Sequence, residues 1–212
     1  MSARLVKVPI LLLVSVWLAC GGGSPANVSP TASFSRSPEG VVITGVTIVV
    51  FTATASDPDG DVLTLTWDFG DGVSGSGASV THVYSSEGVF PVSLSIRDGR
   101  GGAAALGSTV TTRSLSGRWL LSEGGARFYE RGYDIVQAGP ALGGQPFAVP
   151  DKGCLGALTG VATSPRELSF HFAGCDNEIV VISGIADQGL LSVAGTYTHP
   201  SGPPQPIVLA HE

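Results

Sequence analysis

Between Leu63 and Phe69 the chain alternates in period two. Leu63, Leu65, Trp67 and Phe69 are interleaved with Thr64, Thr66 and Asp68, and the run stops at Gly70-Asp71-Gly72. An extended strand with one buried face has this pattern, because successive side chains point to opposite sides of a sheet. The alternation returns where Val92, Leu94 and Ile96 are separated by Ser93 and Ser95. Turn chemistry falls between such runs, at Asp57-Pro58-Asp59-Gly60, at Gly70-Asp71-Gly72 and at Asp98-Gly99. Short strands at this spacing indicate a β-sandwich. Trp67 and Phe69 on one strand face supply its bulk, and burying a ring such as Phe69 is worth about 1.5–3 kcal/mol. Gly70 and Gly72 permit positive φ in the turn that follows, and Asp71 can hydrogen-bond to nearby backbone there. With thirty glycines, fourteen prolines and no long helical pattern, the whole chain reads as all-β.

The blocks within residues 30–113 also carry a specific resemblance. In order they are Ala55-Ser56-Asp57-Pro58-Asp59-Gly60-Asp61, Trp67-Asp68-Phe69-Gly70-Asp71-Gly72, Thr81-His82-Val83-Tyr84, Gly88-Val89-Phe90 and Ile96-Arg97-Asp98-Gly99. This series resembles a PKD domain, with Phe90 standing where tyrosine is common. The resemblance implies an immunoglobulin-like sandwich used outside the cell as a spacer or a binding module.

Asp57, Asp59 and Asp61 admit two roles. Alternating carboxylates beside a glycine can converge on Ca²⁺, which takes six to eight oxygen ligands. They can equally form Asx turns that shape a hairpin. The residue at the twelfth position from Asp57 is Asp68 and not Glu, so this is no EF-hand loop, and the turn is the simpler role.

A second pattern begins at Ser116-Gly117-Arg118-Trp119, and residues 115–212 form its domain. Candidate strands follow at Tyr133–Gln137, Leu155–Ala162, Glu167–Phe172, Glu178–Ile185, Leu190–Thr198 and Ile207–Ala210. Hairpin-like connections join them, so the expected form is a small antiparallel β meander, or a barrel of six or seven strands that removes its own edges. Gly117-Arg118-Trp119, the stretch Gly156 to Gly160 and Gly195-Thr196-Tyr197 resemble small lipocalin- and avidin-like barrels. That resemblance implies a small-ligand carrier if the barrel has eight strands and a pocket.

The N-terminus sets the compartment. Arg4 and Lys7 precede an apolar run from Val8 to Ala19, and small Ala19 precedes Cys20. A cationic start, a short apolar core and a small residue at the cut are the layout of a secretory signal, here residues 1–19. The run is shorter than the roughly 20 residues a spanning helix needs. Leu18-Ala19-Cys20 resembles the lipobox of bacterial lipoproteins, with Trp17 in place of the usual leucine, which implies that Cys20 carries a lipid. Residues 20–29 are then a flexible Gly-rich linker. An odd count of three cysteines suits this, because Cys154 and Cys175 remain as a candidate disulfide. It would close a loop of about 20 residues, worth roughly 3 kcal/mol in the chain-entropy model. Gly21 lacks the Asp-type retention cue, which resembles outer-membrane sorting.

Without Arg4 and Lys7 the chain keeps nine basic against seventeen acidic residues, which speaks against nucleic acid as a partner. His82, His171, His199 and His211 have no companions at metal-ligand spacing, and no nucleophile elbow, phosphate loop or dinucleotide fingerprint is present. The expectation is a non-enzymatic, lipid-anchored protein of the cell envelope with no cofactor beyond a candidate Ca²⁺. It contacts a protein or a glycan through its PKD-like part, or else carries a small ligand in its C-terminal barrel.

Overall fold

The computed structural model describes residues 25–123, 126–148, 156–164, 166–173, 179–198 and 203–212; Cys20, Cys154, Cys175 and His199 lie outside them. Within these residues the chain is all-β, an immunoglobulin-like sandwich followed by a closed antiparallel barrel.

The sandwich strands are β1 (Thr31–Ser37), β2 (Val42–Ile43), β3 (Val49–Ser56), β4 (Thr64–Asp68), β5 (Ser74–Ser76), β6 (Ser79–His82), β7 (Gly88–Arg97) and β8 (Ala103–Arg113). One sheet has the order β1-β3-β6 and the other β2-β8-β7-β4-β5. The period-two pattern is used as such. Trp67 in β4 faces inward opposite Leu94 in β7, while Thr66 and Asp68 stay exposed. Phe51, Trp67, Phe69, Tyr84, Leu94 and Ile96 form the centre of the core. Its rings touch in sequence: Phe34 meets Trp67 edge-on at 5.1 Å, Phe51 lies 5.5 Å from Trp67, and Phe69 lies 5.4 Å from Phe51. Buried polar tips are satisfied as well. Trp67 Nε1 donates to Gly77 O at 2.9 Å, and the Tyr84 hydroxyl donates to Phe69 O at 3.2 Å.

The barrel strands are β9 (Gly117–Glu123), β10 (Ala126–Ala138), β11 (Ala141–Ala148), β12 (Leu158–Ala162), β13 (Glu167–Ala173), β14 (Ile179–Ala186), β15 (Ser192–Thr198) and β16 (Gln205–His211). Each pairs antiparallel with the next, and β16 pairs with β9 to close the ring. There are eight strands rather than six or seven. The addition is β11, whose Gly143, Gly144 and Pro146 read as breakers in the sequence; Pro146 nonetheless sits in register opposite Tyr133. Trp119, Tyr133, Leu158, Phe170, Ile182 and Leu209 point inward and are almost wholly buried. Glycines lie in register opposite several large inward residues, Gly160 against Phe170 and Gly195 against Ile207, so that large and small alternate across the interior.

Candidate functional site at the acidic end of the sandwich

One end of the sandwich gathers the loop after β3, the β7–β8 hairpin and the segment that leads into β1. Pro58 and Gly60 turn the first loop, and Asp57 organises it: its Oδ1 accepts from the backbone N–H of Asp59 at 2.8 Å and of Asp61 at 3.2 Å. This is Asx-turn geometry. Asp59 Oδ2 accepts from Val28 N at 2.7 Å, fastening the entering segment to the loop. Asp61 Oδ1 faces Arg100 Nε at 3.1 Å. In the hairpin, Asp98 Oδ1 accepts from the N–H of Arg100 and of Gly102, and its Oδ2 accepts from Asn27 Nδ2 at 2.7 Å. The Asn27 hydrogen bond, aided by those two N–H groups and acting against desolvation, holds the Asp98 carboxyl below its ordinary value.

Three carboxylates meet here. One ligand atom from each of Asp57, Asp59 and Asp61 lies within 4.8 Å of the others, and this is the one such group of three among the described residues. Asp57 Oδ2 and Asp61 Oδ2 are buried without a hydrogen-bond partner, and the Asp61 side chain is 10% exposed. Buried carboxylate oxygens without a donor are costly. A hard, oxygen-seeking cation between them would remove that cost, so the donor set fits Ca²⁺ chemistry.

The residues around the Trp67 turn are structural. Trp67 and Phe69 are buried, and a side chain at Gly70, where φ is +81°, would collide with the backbone of Pro91. Asp71 Oδ1 accepts from Val73 N at 3.2 Å, and Asp71 Oδ2 lies 2.7 Å from His82 Nε2. His82 stacks flat on Phe69 at 4.3 Å and meets Tyr84 edge-on at 4.6 Å. Desolvation works to raise the Asp71 carboxyl, but the hydrogen bonds from His82 and Val73 and the charge of His82 outweigh it and hold it low. Burial, with the Asp71 charge beside it, pushes the Tyr84 hydroxyl up to about 12.

Sequence reasoning found the three aspartates but not Asn27, Asp98 or Arg100 as their neighbours. Asp98-Gly99 stands as a turn and within one of the blocks resembling a PKD domain, but nothing local ties Asn27 to a residue 71 positions away. The Asp71–His82 pair was missed too, although both residues stand in the stretches Trp67–Gly72 and Thr81–Tyr84 that resemble a PKD domain.

Fold and core place the first half of the chain among immunoglobulin-like sandwiches. Residues 27–113 are a PKD domain, the description of the family profile that matches them. Over 98 residues the chain is 36% identical to a microbial collagenase of Vibrio alginolyticus, covering 46% of this chain and 12% of that one. Over 75 residues it is 33% identical to the pre-pro-metalloprotease PrtV of Vibrio cholerae, covering 35% of this chain and 8% of that one. The chain thus spans about an eighth or less of the length of these relatives. Among solved structures, the PKD1 domain of Vibrio anguillarum Epp aligns with a TM-score of 0.36 at 26% identity, covering 42% of this chain and 99% of that one.

Proposed function

We propose that this chain is an exported, lipid-anchored envelope protein in which a non-catalytic PKD domain holds the barrel away from the membrane. The observation that carries the reading is the PKD match at residues 27–113, whose landmark residues are consumed by packing and turns and leave no reactive constellation. Topology supports the spacer role. The segment from the tether joins the sandwich at its acidic end through Asn27 and Val28, while β1 and β8 both run from that end to the one where the barrel begins. Any protein or glycan contact then belongs to the outer surface. The side chains that occupy the barrel interior count against a wide ligand cavity. Cys20→Ser should move the protein from the detergent phase to the aqueous phase; continued detergent partition would overturn the anchor.

Calcium belongs to the same reading. Bound by Asp57, Asp59 and Asp61, it would brace the loop that receives the tether and make the spacer stiff at its base. Support comes from the two buried, partnerless carboxylate oxygens. Titration of the full protein with Ca²⁺ should release heat and raise the midpoint of sandwich unfolding, and Asp61→Asn should abolish both. An absence of heat at millimolar Ca²⁺ would leave the Asx turn as the loop's whole role.

A further inference from the structure

The other end of the sandwich meets the barrel, and the contact is made by core residues. β2 is two residues long, and period-two alternation sends its side chains to opposite sides. Val42 belongs to the sandwich core, whereas Ile43 belongs to the barrel core, and each is 1% exposed. Val41 and Val46 on either side pack against the barrel cluster, and Leu115 of the connection joins it. The up-and-down topology brings the β10–β11 and β14–β15 turns and the start of β9 to this end. Residues 41–47 lie across it.

Hydrogen bonds fasten the loop on both sides. On the sandwich side, Thr44 N donates to Arg113 O at 3.0 Å and Gly45 N to Tyr84 O at 2.8 Å. Within the loop, Ile43 N donates to Thr47 Oγ1 at 3.0 Å, and Thr47 is buried. On the barrel side one residue does most of the fastening. Gln137 Nε2 donates to Thr44 O at 2.7 Å and to Gly139 O at 2.9 Å, while its Oε1 accepts from Leu115 N at 2.7 Å. A single amide thereby joins the sandwich loop, the connection and the barrel. Gly45 and Gly139 approach so closely that a β-carbon on Gly45 would lie 3.7 Å from the Gly139 Cα.

We infer that the sandwich is the floor of the barrel: the barrel is not an autonomous module, and its closure depends on the β2 loop seated in its end. Removing that loop would expose Leu115 and Leu190, both 1% exposed as the chain stands, together with the apolar end of the barrel interior. Water would then reach the barrel core from this end. The two modules therefore form one stiff arm and not two beads on a linker, and the connection Ser114–Ser116 is no hinge. This holds however the chain is tethered.

Hydrogen exchange measured on the full chain tests it. Ile43→Ala should speed exchange at least tenfold in β9, β10 and β15. Acceleration confined to residues 40–48, with barrel amides as slow as before, would overturn the inference. Trp67→Ala tests it from the far side, because Trp67 belongs only to the sandwich core. The barrel amides should lose protection together with the sandwich. A barrel that keeps wild-type protection while β3, β4 and β7 exchange freely would show an autonomous module and sink the proposal.

Discussion

Several glycines of the sandwich sit in turns with open space around them, whereas several of those described in the barrel sit inside strands with neighbouring backbone pressed against them. Gly60, Gly72 and Gly99 have positive φ, and a β-carbon on any of them would meet nothing within 4 Å. Gly160, Gly184 and Gly195 would each drive a β-carbon into the carbonyl of the adjacent strand. Gly184 and Gly195 are also direct partners in the β14–β15 ladder. The two halves solve the same problem by different means. A sandwich stacks two sheets and fills the gap with rings, so its strands need volume. A small barrel must coil its strands tightly, so some of its inward positions need the lack of it.

The sharpest way to break this contrast is to remove volume from the sandwich. Trp67→Ala deletes the ring that both Phe34 and Phe51 contact, and should cost about 3–5 kcal/mol, read as a lower denaturant midpoint at unchanged slope. Adding volume to the barrel comes next. Gly195→Ala should cost about 1–3 kcal/mol, since the new methyl has only backbone to displace. Gly72→Ala in the sandwich should cost about 1 kcal/mol, for its positive φ alone. If Gly195→Ala proved the milder of the two, close strand approach would not be what closes the barrel.

These differences also decide what was readable in advance. The sandwich announces itself because alternation, turn residues and ring positions agree over short stretches, as from Leu63 to Gly72. The barrel hides β11, because Gly143, Gly144 and Pro146 are breakers in an isolated strand yet acceptable in a strand held on both sides by β10 and β12. β2 is hidden for another reason. Two residues carry no periodicity, and only the folded chain shows that Val42 and Ile43 serve different cores. At the acidic end the aspartates were legible, since a loop of alternating carboxylates is a local pattern. Asn27, Asp98 and Arg100 were not, because they arrive from distant parts of the chain.

Acid should separate the halves further. Among the described residues, the two carboxylates held below their ordinary value, Asp71 and Asp98, both lie in the sandwich. A lowered folded-state value means that the contribution is present above the unfolded value, near pH 4, and disappears as pH falls through the folded one. The melting temperature should therefore fall with pH below about 4, and the loss should begin in β7 and β8. Asp71→Asn should flatten that slope while lowering stability at neutral pH. A slope unchanged by Asp71→Asn would mean that the His82 contact contributes nothing to folding.

The smallest effects bear on what the barrel contains. Tyr84 and Tyr133 are both buried, one in each core, but only the sandwich tyrosine has a partner for its hydroxyl. Burial alone pushes the Tyr133 hydroxyl up, as expected of a group with no charge or donor beside it. Tyr84→Phe should thus cost about 1 kcal/mol, the value of a net hydrogen bond, and should leave Phe69 O unpaired. Tyr133→Phe should cost nothing, or stabilise by up to about 1 kcal/mol, because it removes a polar atom that is buried without compensation. Paired melts of the two variants in one buffer check the difference. A clear loss from Tyr133→Phe would mean that this hydroxyl finds a partner in solution. The barrel would then hold a guest, water or a small polar molecule, and its interior would have room for a ligand.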